Sequence, residues 1–160
     1  MKKALLIGIN NYPTQPLKGC IEDVRSLHSV LERNGDGTKN FDIMSLEDVQ
    51  SSNKAMEAIE ELFKGDEDFA LLYYSGHGFV NTISAELVFP DDCRQDGYHK
   101  GLHMSDIMQV VNRSKVKNKV VILDCCHAGN MGENIRSAES ELSEGVSILT
   151  ACRKDETAME

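Results

Sequence analysis

Short apolar runs alternate with stretches of helical spacing along this chain. Residues 4–9 (ALLIGI), 41–46, 69–74 (FALLYY), 120–123 (VVIL) and 146–151 read as strands. The runs at 4–9, 69–74 and 120–123 are apolar enough to be buried on both faces. Between them, residues 20–34 bring Ile21, Val24, Leu27 and Leu31 to one helical face, with Gly35 as the stop. A second helix capped by Ser51 or Ser52 turns Ala55, Met56, Ile59, Leu62 and Phe63 inward and closes at Gly65. A third, residues 105–113, buries Ile107, Met108 and Val111. Residues 85–89 form a short strand or hairpin arm stopped by Pro90, and residues 10–18, 36–40, 91–100 and 130–145 are polar connections. Strands alternating with helices predict an α/β fold, a mainly parallel sheet flanked by helices with right-handed crossovers.

Length and charge narrow this picture. At 160 residues the default is one domain, residues 1–160. The net charge of −9 argues against a nucleic-acid partner, which selects a basic face. No run of about 18 apolar residues exists, so no membrane-spanning helix is expected. The basic start, Met1-Lys2-Lys3, leads into a run too short for a signal peptide, followed by Asn11-Tyr12-Pro13, and reads as the first strand. The five cysteines include no Cys-x-x-Cys pair. Without a secretion signal they suggest a reducing, cytoplasmic setting.

The chemistry is concentrated at two strand ends. Strand 120–123 runs into Asp124-Cys125-Cys126-His127-Ala128-Gly129, and strand 69–74 into Ser75-Gly76-His77-Gly78. Open α/β sheets place reactive groups at the carboxyl ends of their strands. If the two strands are parallel neighbours, His77 and Cys126 meet at one sheet edge. A thiol and a general base are the minimum for cysteine nucleophile chemistry. A zinc site from Cys125, Cys126 and His127 is poorly spaced.

YSGHG followed about fifty residues later by DCCHAG resembles the caspase-like cysteine proteases, the metacaspase and bacterial branch in particular. The resemblance runs from KKALLIGINNY to ILTACRKDETAME. It implies the caspase-like three-layer sandwich, with Cys126 as nucleophile and His77 as base toward the thiol and acid toward the leaving amine. It assigns the oxyanion hole to the N–H groups of Gly78 and Cys126. Cys125 falls at a variable family position and reads as a small buried hydrophobe, while His127 resembles a position that shapes the loop.

Specificity follows from the same resemblance. Gly19-Cys20-Ile21-Glu22-Asp23 matches the metacaspase pocket segment, so Cys20, Asp23, Ser75 and Asp124 are implied to line the pocket. Two carboxylates there favour Arg or Lys and repel an aspartate substrate. The implied activity is a cysteine endopeptidase acting on a protein or peptide, of regulatory or defence type. The alternatives are an inactive caspase-like regulatory or scaffold module, and a thiol hydrolase or transferase acting on small molecules. Arg136, a basic residue in an acidic loop, is the candidate self-cleavage site.

No cofactor is required by this chemistry. Some metacaspases depend on calcium, which makes Asp91, Asp92 and Glu133 candidate ligands against the plainer reading of a solvated acidic loop. The fold resembled continues past the fifth strand into a sixth strand and further helices. A second chain or segment is therefore expected to cover that strand, whose apolar edge would otherwise stand open.

Overall fold

The computed structural model describes residues 1–80, 85–93, 101–125 and 143–150. In chain order the elements are β1 (Lys2–Gly8), α1 (Cys20–Leu31), β2 (Asp42–Glu47), α2 (Ser52–Phe63), β3 (Phe69–Gly76), β4 (Gly78–Val80), β5 (Ala85–Leu87), a 3-10 turn (Pro90–Asp92), β6 (Leu102–His103), α3 (Met104–Arg113), β7 (Asn118–Cys125) and β8 (Val146–Thr150). Five strands form a parallel sheet in the order β2-β1-β3-β7-β8. A small antiparallel sheet, β4-β5-β6, follows directly from the end of β3.

Strand alternation explains the layers. Successive side chains point to opposite faces. Ala4, Leu6, Leu71 and Tyr73 therefore share one face, where α1 packs through Val24, Leu27 and Leu31. Leu5, Ile7, Leu72 and Tyr74 share the other, against α2 and α3 through Ile59, Phe63, Ile107 and Val111. The result is the three-layer α/β sandwich. It also explains why these strands read as continuous apolar runs rather than alternating ones.

The seating of α1 on the sheet depends on Gly8. A Cβ there would lie 2.6 Å from the Cys20 carbonyl oxygen and 2.8 Å from Val24 Cγ2. Gly8→Ala is expected to destabilise the fold by about 1–3 kcal/mol, as overpacking of a closed contact does. A urea midpoint equal to that of the unmodified protein would contradict this contact.

Three local expectations need correction. The first helix ends at Leu31, not Asn34. The chain instead folds back, with Asn34 N–H donating to the Thr38 carbonyl and Asn40 N–H to the Glu32 carbonyl, around Gly37 at φ 84°. Gly35 is therefore not the stop. Ser51 occupies the N-cap of α2 without a side-chain cap bond, and the Ser52 hydroxyl donates to Asp92 Oδ1 at 3.1 Å. The pairing strand β6, Leu102–His103, falls between the predicted connection 91–100 and the predicted helix 105–113, where no element was expected. The fifth strand of the large sheet, β8, bounds it among the described residues, with Leu149 56% exposed.

Candidate active site

The register of the sheet brings the two motifs together. Strands β3 and β7 are parallel neighbours, with Ser75 opposite Asp124 and Gly76 opposite Cys125. His77 follows Gly76 in sequence and Cys126 follows Cys125, so the two motif loops leave adjoining strands at one end of the sheet. Cys126 itself lies outside the described residues, as do His127, Glu133 and Arg136.

His77 is half-buried and held on several sides. Its Nε2 is 2.7 Å from the carbonyl oxygen of Gln15. A carbonyl only accepts, so Nε2 carries the proton and Nδ1 is left as the basic nitrogen of the neutral ring. Gln15 sits at φ 54°, an uncommon backbone region for a residue with a side chain. The His77 main-chain N–H donates to the Tyr12 hydroxyl at 2.9 Å. Its carbonyl accepts from the Tyr74 hydroxyl at 2.8 Å and from Val88 N–H at 3.0 Å.

That last bond fixes the direction of Gly78. Gly78 pairs with Leu87 across β4 and β5, and a bond from Val88 N–H to the His77 carbonyl marks this as a non-hydrogen-bonded pair. The Gly78 N–H is thereby directed off the ladder, as an oxyanion donor must be.

The residues expected to line a substrate pocket lie on the α1 face. Ser75 and Asp124 are cross-strand neighbours on it, at the level of Gly8, and the first turn of α1 carries Cys20 and Asp23 above them. Cys20 and Ser75 are buried, Asp124 is partly buried and Asp23 is exposed. Partial desolvation pushes the Asp23 carboxyl above its ordinary range, and the nearby charges of Asp124 and then Glu22 add to the shift. The two acids therefore share one electrostatic environment. Tyr73, two residues before Ser75 and on the same face, donates its hydroxyl to Asp124 Oδ2 at 3.2 Å. Burial and then the Asp124 charge hold that phenol well above its usual range.

Cys125 points to the opposite face. It is 1% exposed, within the apolar cluster formed with α2 and α3.

Comparison with known proteins identifies the family. The caspase domain family matches residues 1–160. The chain belongs to that family. It is 33% identical over 147 residues to Metacaspase-1A of Aspergillus fumigatus, and 30% identical over 146 residues to Metacaspase-1 of Botryotinia fuckeliana. These alignments cover 81% and 80% of this chain but 35% and 34% of those proteins. The chain thus spans about a third of the length of the curated relatives it matches. A crystal structure of a protein from Geobacter sulfurreducens superposes with a TM-score of 0.57 over 85% of this chain and 56% of that one. At 24% identity it bears on the fold alone.

For a caspase-domain chain, three contributors to this site had been overlooked. Tyr12 sits in a loop, and its buried hydroxyl has no spacing signature. Gln15 acts through a carbonyl, which every residue possesses. Tyr73 was legible only as an apolar strand residue, although a buried tyrosine needs a partner for its hydroxyl.

Of the three candidate calcium ligands, Asp91 and Asp92 lie among the described residues and Glu133 does not. Asp91 is exposed on the 3-10 turn, while Asp92 accepts from Ser52 through Oδ1 and has Oδ2 enclosed without a described hydrogen-bond donor. Among the described residues no three His, Cys, Asp or Glu side chains come together as ligands. Among the described residues, no helix is long and apolar enough to cross a membrane.

Proposed function

We propose that this chain carries the catalytic site of a cysteine endopeptidase that cuts polypeptides after Arg or Lys. The observation that carries the reading is the β3–β7 register, which ends both motif strands at the same level. Cys126 Sγ gives its proton to His77 and attacks the scissile carbonyl carbon, forming a C–S bond. The oxyanion takes up donors that include the Gly78 N–H. His77 then returns the proton to the departing amine as the C–N bond breaks, and water hydrolyses the acyl-enzyme. The Gln15 carbonyl accepts from Nε2–H in both charge states, so the proton is exchanged at Nδ1. No cofactor enters these steps.

The substrate side chain before the cut enters between Asp23 and Asp124. A guanidinium there offsets the desolvation that chiefly raises Asp23 and the Asp124 repulsion that adds to it, and it can pair bidentately. An aspartate would instead add a third negative charge.

Fluorogenic peptides ending in Arg, Lys or Asp, compared on the unmodified protein and Cys126→Ala, test the reading. Release from Arg and Lys peptides alone is expected, undiminished by a calcium chelator and absent from Cys126→Ala. Release after Asp would overturn the pocket. No release under any condition would favour an inactive regulatory module. Intact mass of the same two samples shows whether the active protein alone is cut at Arg136.

A further inference from the structure

Two buried phenols beside the catalytic histidine have no part in the steps above. Tyr12 is 5% exposed and Tyr74 is fully buried. Phenylalanine would fill nearly the same volume without the penalty of burying a hydroxyl. What the hydroxyls bind is therefore informative. Tyr12 Oη accepts from His77 N–H at 2.9 Å and donates to the Val88 carbonyl at 3.1 Å. It lies 3.2 Å from Tyr74 Oη, which is 2.8 Å from both the His77 and the Val88 carbonyl oxygens. Burial raises both phenols, so they remain neutral donors at any working pH.

From these contacts we infer that the Tyr12 hydroxyl is a positioning group that fixes the main chain of His77 and so aims its imidazole. The inference rests on the catalytic role proposed for His77. Three features support it. The Tyr12 ring flanks the imidazole, with centroids 4.4 Å apart and planes inclined at 54°. Gln15, three residues further along the same loop, holds Nε2 of that ring, so one loop grips His77 at its main chain, its ring face and its ring edge. The neighbouring Gly76 leaves room for the clamp. A Cβ there would stand 2.5 Å from Tyr12 Oη and 2.8 Å from Tyr74 Oη.

The clamp also ties the site to the small sheet. Val88, which follows β5, donates its N–H to the His77 carbonyl, and its own carbonyl accepts from the tyrosine hydroxyls. The histidine is thus fastened between the first loop of the chain and the β4–β5 hairpin. It does not swing on a free strand end. Small misplacements of a general base are costly to turnover but leave substrate binding largely alone.

The test uses Tyr12→Phe, which keeps the ring and removes the hydroxyl, with Tyr74→Phe as the second variant if the first does not fold. Two readouts are taken: kcat and KM on an Arg-ending peptide, and amide hydrogen exchange at His77. Tyr12→Phe is expected to lower kcat about tenfold with KM held within about twofold. The His77 amide should exchange at least about tenfold faster while Leu72 and Val121 amides keep their protection. Tyr74→Phe, which removes one of the two donors to the His77 carbonyl, should shift kcat in the same direction. Unchanged kcat and unchanged His77 exchange in Tyr12→Phe would overturn the inference. A His77→Ala protein that still turned over would remove the catalytic reading itself, and the exchange measurement would then decide the clamp alone.

Discussion

Replacing His77 by alanine is expected to lower kcat for an Arg-ending peptide by about a thousandfold, with KM nearly unchanged. In the proposed mechanism the imidazole is needed twice, to take the proton of the Cys126 thiol and to protonate the leaving amine. Neither step involves the pocket, which lies on the α1 face of the sheet. The cysteines separate the explanations further. Cys126→Ala should abolish turnover. Cys125→Ala should retain it and instead lower the unfolding midpoint, because Cys125 is 1% exposed within the core beside α2 and α3. Stopped turnover in Cys125→Ala at full stability, with Cys126→Ala active, would exchange the two roles and break the register argument.

The second large effect concerns charge in the pocket. Asp124→Asn is expected to lower kcat/KM for Arg-ending peptides by about a hundredfold, the scale for removing one partner of a partly desolvated charge pair. The Asp124 change also predicts a pH signature. In the unmodified protein desolvation, and then Asp124 and Glu22, raise Asp23, so on acidification Asp23 takes up its proton at a higher pH than an ordinary aspartate. A protonated Asp23 cannot pair with a guanidinium. KM should therefore climb on the acid side earlier than an ordinary carboxylate would dictate. Removing the Asp124 charge lowers the Asp23 pKa, so the acid rise of KM should move to lower pH in Asp124→Asn. An acid limb that stays in place would mean that the two carboxylates do not share the pocket.

The strands and the two motif loops were legible because burial on both faces leaves continuous apolar runs, and because reactive side chains at strand ends stand out against them. Which strands are neighbours was only a condition in the sequence, since periodicity says nothing about order in a sheet. The structure supplies it through the pairing of residues 69–76 with 118–125. The end of α1 was misplaced because Glu32 and Asn34 are competent helix residues, and the return through Gly37 is set by backbone bonds to Thr38 and Asn40. A strand as short as Leu102–His103 has no period to detect. The pocket acids were readable as charges, but the support of Asp124 by Tyr73 was not, because that tyrosine counts as apolar in a pattern. Least visible was the grip on His77, made of a carbonyl and a hydroxyl from the loop after β1 and a hydroxyl three residues before it.

The most direct test of the central claim is a crystal structure of the protein treated with a peptide aldehyde ending in Arg. The account predicts a hemithioacetal on Cys126 Sγ, the His77 ring beside it, and the guanidinium between Asp23 and Asp124. An adduct on another cysteine, or a guanidinium seated away from those two carboxylates, would contradict it.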